Sequence, residues 1–170
     1  MSLAVIGLGT NMGDRVYNLN VAVRAISRLP NVKVKAGSGV YETDPVGKED
    51  QNRFYNAVLL VETTASPHVL LGGCLGIEAA MGRIREEKNG PRIIDLDLLI
   101  YENYKSDSFE LQLPHPRMLE RAFVLKPLSD IFPSGRALGV FFQPYMRELG
   151  EDGVDKTDYE LIVPEQDDLL

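Results

Sequence analysis

The amino-acid sequence predicts an α+β fold whose elements follow the order β-α-β-β-α-β. Two observations support this prediction. Apolar runs rich in β-branched residues recur along the chain, and two segments with apolar residues at helical spacing lie between them. The order is typical of a ferredoxin-like sandwich, in which two helices cover one face of an antiparallel sheet and leave the other face free for a site. We expect a C-terminal hairpin and a helical extension after this unit.

Each predicted element has its own local signal. The first helix is stopped by Pro30-Asn31, and the second begins at Ser66-Pro67, where serine caps the helix and proline occupies its first position. The predicted elements are strands at 3–8, 32–41, 54–62 and 93–101, helices at 19–29 and 67–82, a hairpin near 103–113, a short helix near 117–125 and an amphipathic segment near 138–149.

The net charge of −7 is concentrated at the C-terminal end of the 170 residues. Residues 148–170 carry nine acidic side chains and one lysine, whereas the preceding 147 residues carry 17 basic and 16 acidic side chains. A nearly neutral body suits a small anionic ligand better than a nucleic acid duplex, which requires a broad basic face. We expect a single domain over residues 1–147 and an acidic, partly disordered tail over residues 148–170.

Cysteine content and hydropathy indicate the cellular compartment of the protein. The single cysteine, Cys74, excludes an internal disulfide and is typical of a reducing compartment. No run approaches the ~18 apolar residues that cross a bilayer. The first apolar run also lacks the preceding basic residues of a signal peptide. We therefore expect a cytoplasmic protein that contacts no membrane. We also expect a monomer that binds no nucleic acid.

The segment 90–101 carries the strongest chemical signal. Asp95 and Asp97 stand two residues apart in an apolar strand, so their side chains share one face. Neighbouring carboxylates repel unless a cation neutralises them, and Mg²⁺ prefers such oxygen ligands. Arg92 adds a guanidinium fork suited to phosphate. The segment indicates metal-assisted phosphate chemistry, although the acid pair alone fits a solvated strand end equally well. Ile94, Leu96, Leu98 and Ile100 are expected on the opposite, buried face.

Two long connections adjoin the predicted site. Residues 83–92 contain four basic side chains and could close over a polyphosphate. Residues 42–53 lead to Phe54, a ring that can stack on a flat ligand, and to Asn56, which together with backbone near 43–46 could read the edge of a heterocycle.

Three further residues complete the candidate set. His115 and Arg121 follow the last predicted strand and could meet a phosphate, while Phe123 could stack on a ring. Known phosphate-binding loops are missing, because the sequence has no P-loop and Gly7-Leu8-Gly9 lacks the third glycine of a dinucleotide-binding motif.

These motifs together resemble the 6-hydroxymethyl-7,8-dihydropterin pyrophosphokinase family over about residues 2 to 130. The segments that carry the resemblance are Gly9-Thr10-Asn11, Tyr41-x-Thr43-x-Pro45-x-Gly47, Phe54-Tyr55-Asn56-Ala57, Glu78, Gly82-Arg83-Ile84-Arg85 with Gly90-Pro91-Arg92-Ile93-Ile94-Asp95-Leu96-Asp97, and Pro114-His115 with Arg121-x-Phe123. Most of these are several residues long and occur in the family's order.

The resemblance implies a folate-pathway enzyme that transfers the β,γ-pyrophosphate of ATP to the pterin hydroxymethyl group and releases AMP. It implies ATP as co-substrate and two Mg²⁺ ions held by Asp95 and Asp97. The implied catalytic residues are Arg83, Arg92, Asp95 and Asp97. The implied ATP contacts are Glu78, Arg83, Arg85, Arg92, His115 and Arg121. The implied pterin contacts are Thr43, Pro45, Val46, Phe54, Asn56 and Phe123.

Two other functions stay open on the residues alone. A palm-type nucleotidyl transferase or cyclase also places acids on a ferredoxin-like sheet, but it has no use for Phe54, Asn56 and Phe123. A ferredoxin-like binding module would instead sense a heterocycle without any dependence on Mg²⁺ or ATP.

Overall fold

A computed structural model describes residues 1–47, 50–83 and 90–165. Its secondary structure comprises β1 (Ser2–Thr10), α1 (Arg15–Ser27), β2 (Val32–Gly37), β3 (Gly39–Thr43), β4 (Phe54–Thr63), α2 (Pro67–Ala80), β5 (Asp95–Tyr101), β6 (Ser106–Asp107), β7 (Gln112–Leu113), a 3-10 turn (Met118–Glu120), α3 (Ala122–Ile131), β8 (Arg136–Ala137), β9 (Val140–Phe141), α4 (Gln143–Leu149) and β10 (Val154–Glu160). None of the helices in the described ranges has the length and apolar content to cross a membrane.

The central sheet is six-stranded and antiparallel. Its order is β10-β3-β4-β1-β5, and β2 pairs with the part of β4 that β3 leaves uncovered. With β2 and β3 taken together as one predicted strand, the strand order is that of a ferredoxin-like sheet. The predicted α+β, ferredoxin-like fold is therefore confirmed.

Ser38 divides the strand that was predicted at 32–41. Its backbone N–H donates to the Val58 carbonyl at 3.0 Å, and its Oγ accepts from the Val58 N–H at 2.9 Å. The Ser38 hydroxyl thus accepts the Val58 N–H, which a backbone carbonyl would accept in a regular pair of antiparallel strands. The chain shifts at this point, so that β2 and β3 pair with successive parts of β4.

Two hydrophobic clusters lie on opposite faces of the sheet. One packs α1 and α2 against the sheet and includes Leu19, Leu70 and Leu96. The other packs α3 against the opposite face and includes Leu125 and Phe142. The sequence predicted that the second face would be free. The structure shows that α3 and the segment after it cover part of it, because the C-terminal extension also has apolar residues to bury.

A bulge in β5 places one predicted buried residue on the opposite face of the sheet from the one predicted. Ile6 pairs with Leu98, but Val5 pairs with Ile100, so that Leu99 is the extra residue. Ile100 consequently joins the cluster beneath α3, whereas strict alternation predicted it beside Leu96 and Leu98. The other three predicted buried residues, Ile94, Leu96 and Leu98, do face α1 and α2.

The predicted acidic tail contains an ordered strand. In β10, Val154 pairs with Thr43 and Lys156 pairs with Tyr41. Without this strand, β3 would expose a row of unpaired backbone groups. The acidic side chains of β10 face solvent, and the partial disorder of residues 148–170 stays a prediction. That residues 1–147 form a domain by themselves stays a prediction.

Candidate active site

Two glycines of β1 form the floor of the site. Gly7 pairs with Asp97 on one side and Val58 on the other, and Gly9 pairs with Asp95 and Asn56. Because directly paired residues project from the same face, both aspartates and Asn56 rise around the two glycines. A Cβ at position 9 would lie 2.7 Å from Asn56 Oδ1. The floor therefore has room only for glycine at position 9.

A cavity of about 440 Å³ lies above this floor. It brings together eleven of the predicted site residues, from the carboxylate pair to the two aromatic rings. They are Thr43, Val46, Phe54, Asn56, Arg83, Arg92, Asp95, Asp97, His115, Arg121 and Phe123. Pro45 is not among the residues that line the cavity, and Arg85 lies outside the described residues. The roles assigned to all of these residues stay predictions.

A second cavity of about 260 Å³ adjoins the first. The two share Asp95, Asp97 and His115 as lining residues. The second cavity is also lined by two glutamates, Glu78 and Glu110, and by several apolar or amide side chains. These are Leu71, Leu75, Leu96, Leu98, Phe109, Leu111, Gln112 and Pro116. The arrangement is a site with two compartments that meet at the carboxylate pair.

Arg83 lies between two carboxylates. Its Nη1 donates to Glu78 and, at 2.7 Å, to Asp95 Oδ1. Glu78 Oε2 also accepts the backbone N–H of Leu96 at 2.9 Å, and Glu78 is only 2% exposed. Charge-assisted hydrogen bonds of this kind fix the guanidinium at the junction of the two cavities. Glu78, predicted as an ATP contact, thus orients Arg83 and the start of β5.

The environment of Asp97 disfavours the charged form of its carboxyl. Burial raises the pKa of its carboxyl to about 7, and repulsion from Asp95 and Glu78 adds to the shift. Arg121 and Arg83 oppose the shift. A divalent cation would relieve the repulsion, and two carboxylates are oxygen donors that suit Mg²⁺. Over residues 1–47, 50–83 and 90–165, no group of three or more His, Cys, Asp or Glu side chains could hold a metal ion.

His115 lies in an environment that disfavours the charged form of its imidazole. Burial lowers the pKa of its imidazole, and the nearby charge of Arg121 lowers it further. Its Nδ1 accepts the backbone N–H of Arg117 at 3.2 Å, which assigns the remaining proton to Nε2. Since His115 lines both cavities, its Nε2–H is suited to a phosphate or ribose oxygen.

Each predicted stacking ring lies beside an arginine. The Arg92 guanidinium is 5.9 Å from the centre of the Phe54 ring, and that of Arg121 is 5.5 Å from the centre of the Phe123 ring. These cation–π contacts bring positive charge to the edges of an aromatic compartment. The arrangement can hold a flat ring and an anionic group side by side.

Sequence reasoning missed part of this site. Gly7 and Gly9 were not recognised as the floor of the site, and no role was predicted for the side chains of Asp44 and Arg117, which line the larger cavity. For the glycines a usable signal was present. Two glycines at positions i and i+2 of a buried strand leave a gap on one face of the sheet.

Residues 5–133 match the model of the family described as 7,8-dihydro-6-hydroxymethylpterin-pyrophosphokinase (HPPK). The chain belongs to this family. A 2-amino-4-hydroxy-6-hydroxymethyldihydropteridine pyrophosphokinase of Methylorubrum extorquens is 41% identical over 158 residues, which are 93% of this chain and 100% of the relative. A protein of the same name from Bacillus subtilis is 44% identical over 130 residues, 76% of this chain and 78% of the relative.

Solved structures support the HPPK fold. The crystal structure of Plasmodium falciparum HPPK-DHPS wild type with SDX-DHP is similar with a TM-score of 0.65 at 16% identity. The similarity covers 92% of this chain but only 47% of that chain. At this identity the likeness concerns the fold alone. The family resemblance predicted from the motifs is confirmed by the match over residues 5–133.

Proposed function

We propose that this chain is a 2-amino-4-hydroxy-6-hydroxymethyldihydropteridine diphosphokinase of folate biosynthesis. It transfers the β,γ-pyrophosphoryl group of ATP to 6-hydroxymethyl-7,8-dihydropterin and releases AMP. Family membership and the names of the relatives support this reaction. The structural observation that carries the proposal is the pair of cavities that meet at Asp95 and Asp97. Such a site can hold two substrates with their reacting groups at the junction.

The smaller cavity suits the nucleoside end of ATP. Its leucines offer apolar surface to a purine, and Gln112 offers both a donor and an acceptor for the edge of the base. His115 lies where this cavity meets the larger one, so its Nε2–H is available to the ribose or the first phosphate. Arg121 and Arg92 line the larger cavity beyond it and would bind the following phosphates.

The larger cavity suits the pterin. Phe54 and Phe123 offer rings for stacking. Asn56 Nδ2 donates to Thr43 Oγ1 at 2.6 Å, which fixes the orientation of the amide. The amide oxygen then points over Gly9, where it can accept an N–H of the pterin edge.

Asp95 and Asp97 would hold Mg²⁺. Bound Mg²⁺ would neutralise charge on the triphosphate and help to align it for displacement. We propose two ions, as the family resemblance implies. Since these carboxylates are the only protein donors proposed, the remaining ligands would be phosphate and water oxygens.

The chemical step joins the pterin hydroxymethyl oxygen to the β-phosphorus. The bond from the β-phosphorus to the oxygen bridging it to the α-phosphorus breaks, AMP leaves with that oxygen, and the hydroxyl proton is released. Arg83 bonds Asp95 at the junction and Arg92 lines the larger cavity, so both can stabilise the charge that accumulates in the transition state. The Nε of Arg83 is buried without a hydrogen-bond partner among the described residues.

We propose ATP and 6-hydroxymethyl-7,8-dihydropterin as the binding partners of this chain. A monomeric state and a cytoplasmic location stay predictions from the sequence. Neither affects the assignment of the reaction.

Product identity tests the reaction. Incubation with ATP labelled in the γ-phosphate, Mg²⁺ and the reduced hydroxymethylpterin should yield AMP and a labelled pterin diphosphate. Omission of the pterin is the control and should stop AMP formation. Formation of ADP would contradict the proposal. Release of pyrophosphate from ATP without pterin would instead favour a nucleotidyl transferase or cyclase.

A further inference from the structure

The C-terminal extension reaches the pterin end of the larger cavity. The family match ends at residue 133, and β10 follows that limit. Val154 of β10 pairs with Thr43 of β3, and Thr43 lines the cavity. A strand outside the family match is therefore the direct neighbour of a strand that forms the cavity wall.

Gly153 extends this contact to the next lining residue. The backbone N–H of Asp44 donates to the Gly153 carbonyl at 3.0 Å. Gly153 has a φ of +74°, and a Cβ at this position would lie 2.5 Å from Asp44 Oδ2. The left-handed conformation favours glycine, and a Cβ would displace the Asp44 carboxylate. The residue before β10 consequently fixes the backbone of Asp44 from outside the cavity.

Arg53 connects β10 to both ends of the connection between β3 and β4. Its Nη2 donates to Asp155 Oδ2 on β10 at 2.9 Å, its Nε to Asp44 Oδ1 at 3.0 Å and its Nη1 to Glu42 Oε1 at 2.9 Å. Arg53 also directly precedes Phe54, a proposed stacking ring. A planar guanidinium with three carboxylates forms a network, which restrains geometry better than an isolated surface pair.

We propose that β10 is a positioning element for the pterin. Asp155 and Gly153, acting through Arg53 and Asp44, hold the segment 43–46 in the arrangement that contacts the pterin edge. The inference rests on the proposed function and adds a determinant of pterin affinity beyond the family match. A segment that is already ordered loses less conformational entropy when the ligand binds. The network should therefore affect pterin binding while leaving ATP binding and the chemical step unchanged.

Removal of one charge from β10 tests the proposal. Asp155→Asn should raise the KM for the pterin about two- to fivefold, with the KM for ATP and kcat unchanged. The Kd for the pterin, measured by its fluorescence in the presence of Mg²⁺ and unreactive α,β-methylene-ATP, should rise by the same factor. Asp158→Asn, on the same exposed strand, is the matched control and should alter neither constant. Asp155→Glu should restore pterin affinity because it keeps the carboxylate.

A double-mutant cycle tests whether Asp155 acts on pterin binding through Arg53. Arg53→Lys lacks the guanidinium fork and should weaken pterin binding by itself. Combining it with Asp155→Asn should add little, because both changes break the same network. If the two substitutions had additive effects on the free energy of pterin binding, the proposal would be overturned.

Three results separate this inference from the proposed function. A pterin KM that changes no more in Asp155→Asn than in Asp158→Asn overturns the role of β10. Equal losses in kcat and in both KM values, accompanied by a lower Tm, also overturn it, since β10 would then act only on the stability of the fold. Absence of pterin-dependent AMP formation by the unaltered chain contradicts the proposed function itself.

Discussion

The side-chain oxygen of Asn11 accepts the backbone N–H of Arg92 at 2.8 Å. The amide nitrogen of the same side chain donates to Gln51 Oε1 at 2.9 Å and to the Asn52 carbonyl at 3.0 Å. Asn11 is 2% exposed and follows the last residue of β1. One buried asparagine thus joins the C-terminal ends of the two long connections 42–53 and 83–92.

We expect Asn11→Ala to destabilise the protein and to weaken the binding of both substrates. Buried backbone groups that lose a hydrogen-bond partner reduce the free energy of unfolding by about 1–3 kcal/mol. Urea denaturation measures this change, and the KM values for ATP and the pterin should both rise because the two connections lose their common support. Asn20→Ala is the control, because Asn20 accepts a hydrogen bond from the Ile162 N–H on the surface. Unchanged KM values in Asn11→Ala would show that the link does not support the site.

We expect Gly9→Ala to impair pterin binding specifically. The added Cβ would lie 2.7 Å from Asn56 Oδ1, so the amide that contacts the pterin edge must move. Overpacking of this size should raise the KM for the pterin about five- to fiftyfold. Gly76→Ala is a matched control, since a Cβ on that exposed helical glycine would meet nothing within 4 Å. A normal pterin KM in Gly9→Ala would exclude Asn56 from pterin recognition.

The parts of the site that sequence predicted depend on local rules. Alternation along a strand places Asp95 and Asp97 on one face, and the register confirms that both lie beside the glycine floor. The face on which Ile100 lies depends instead on a bulge, and this bulge forms only when β5 pairs with β1. β10 could not be predicted for a similar reason. Its charged sequence becomes a strand because the edge of β3, more than 100 residues earlier in the chain, is available for pairing.

Asp97→Asn should stabilise the metal-free protein, and the gain should increase with pH. Burial and then repulsion from Asp95 raise the pKa of Asp97 from 3.8 to about 7. Between these values the folded state retains a proton that the unfolded state releases, so stability falls as the pH rises. The advantage of the variant should grow by about 1–2 kcal/mol from pH 5.5 to pH 8. Urea denaturation in EDTA measures this difference.

The same Asp97→Asn variant should lose turnover, because a neutral amide is a poor ligand for Mg²⁺. Asp107→Asn removes an exposed carboxylate of β6 and should show neither effect. A stability difference that stays constant with pH would contradict the raised pKa of Asp97. Retained turnover would contradict its role in holding the metal ion.

The contacts of Arg83 predict that its structural and catalytic roles can be separated. Arg83→Met removes the cation that compensates the buried charge of Glu78 and should lower the free energy of unfolding by about 3 kcal/mol. Adding Glu78→Gln removes that charge but keeps an acceptor for the Leu96 N–H, so much of the stability should return. Activity should not return, because the guanidinium is still missing from the junction of the two cavities. We expect kcat to remain at least about a hundredfold below that of the unaltered chain. Recovery of kcat along with Tm in the double variant would show that Arg83 acts only on the fold.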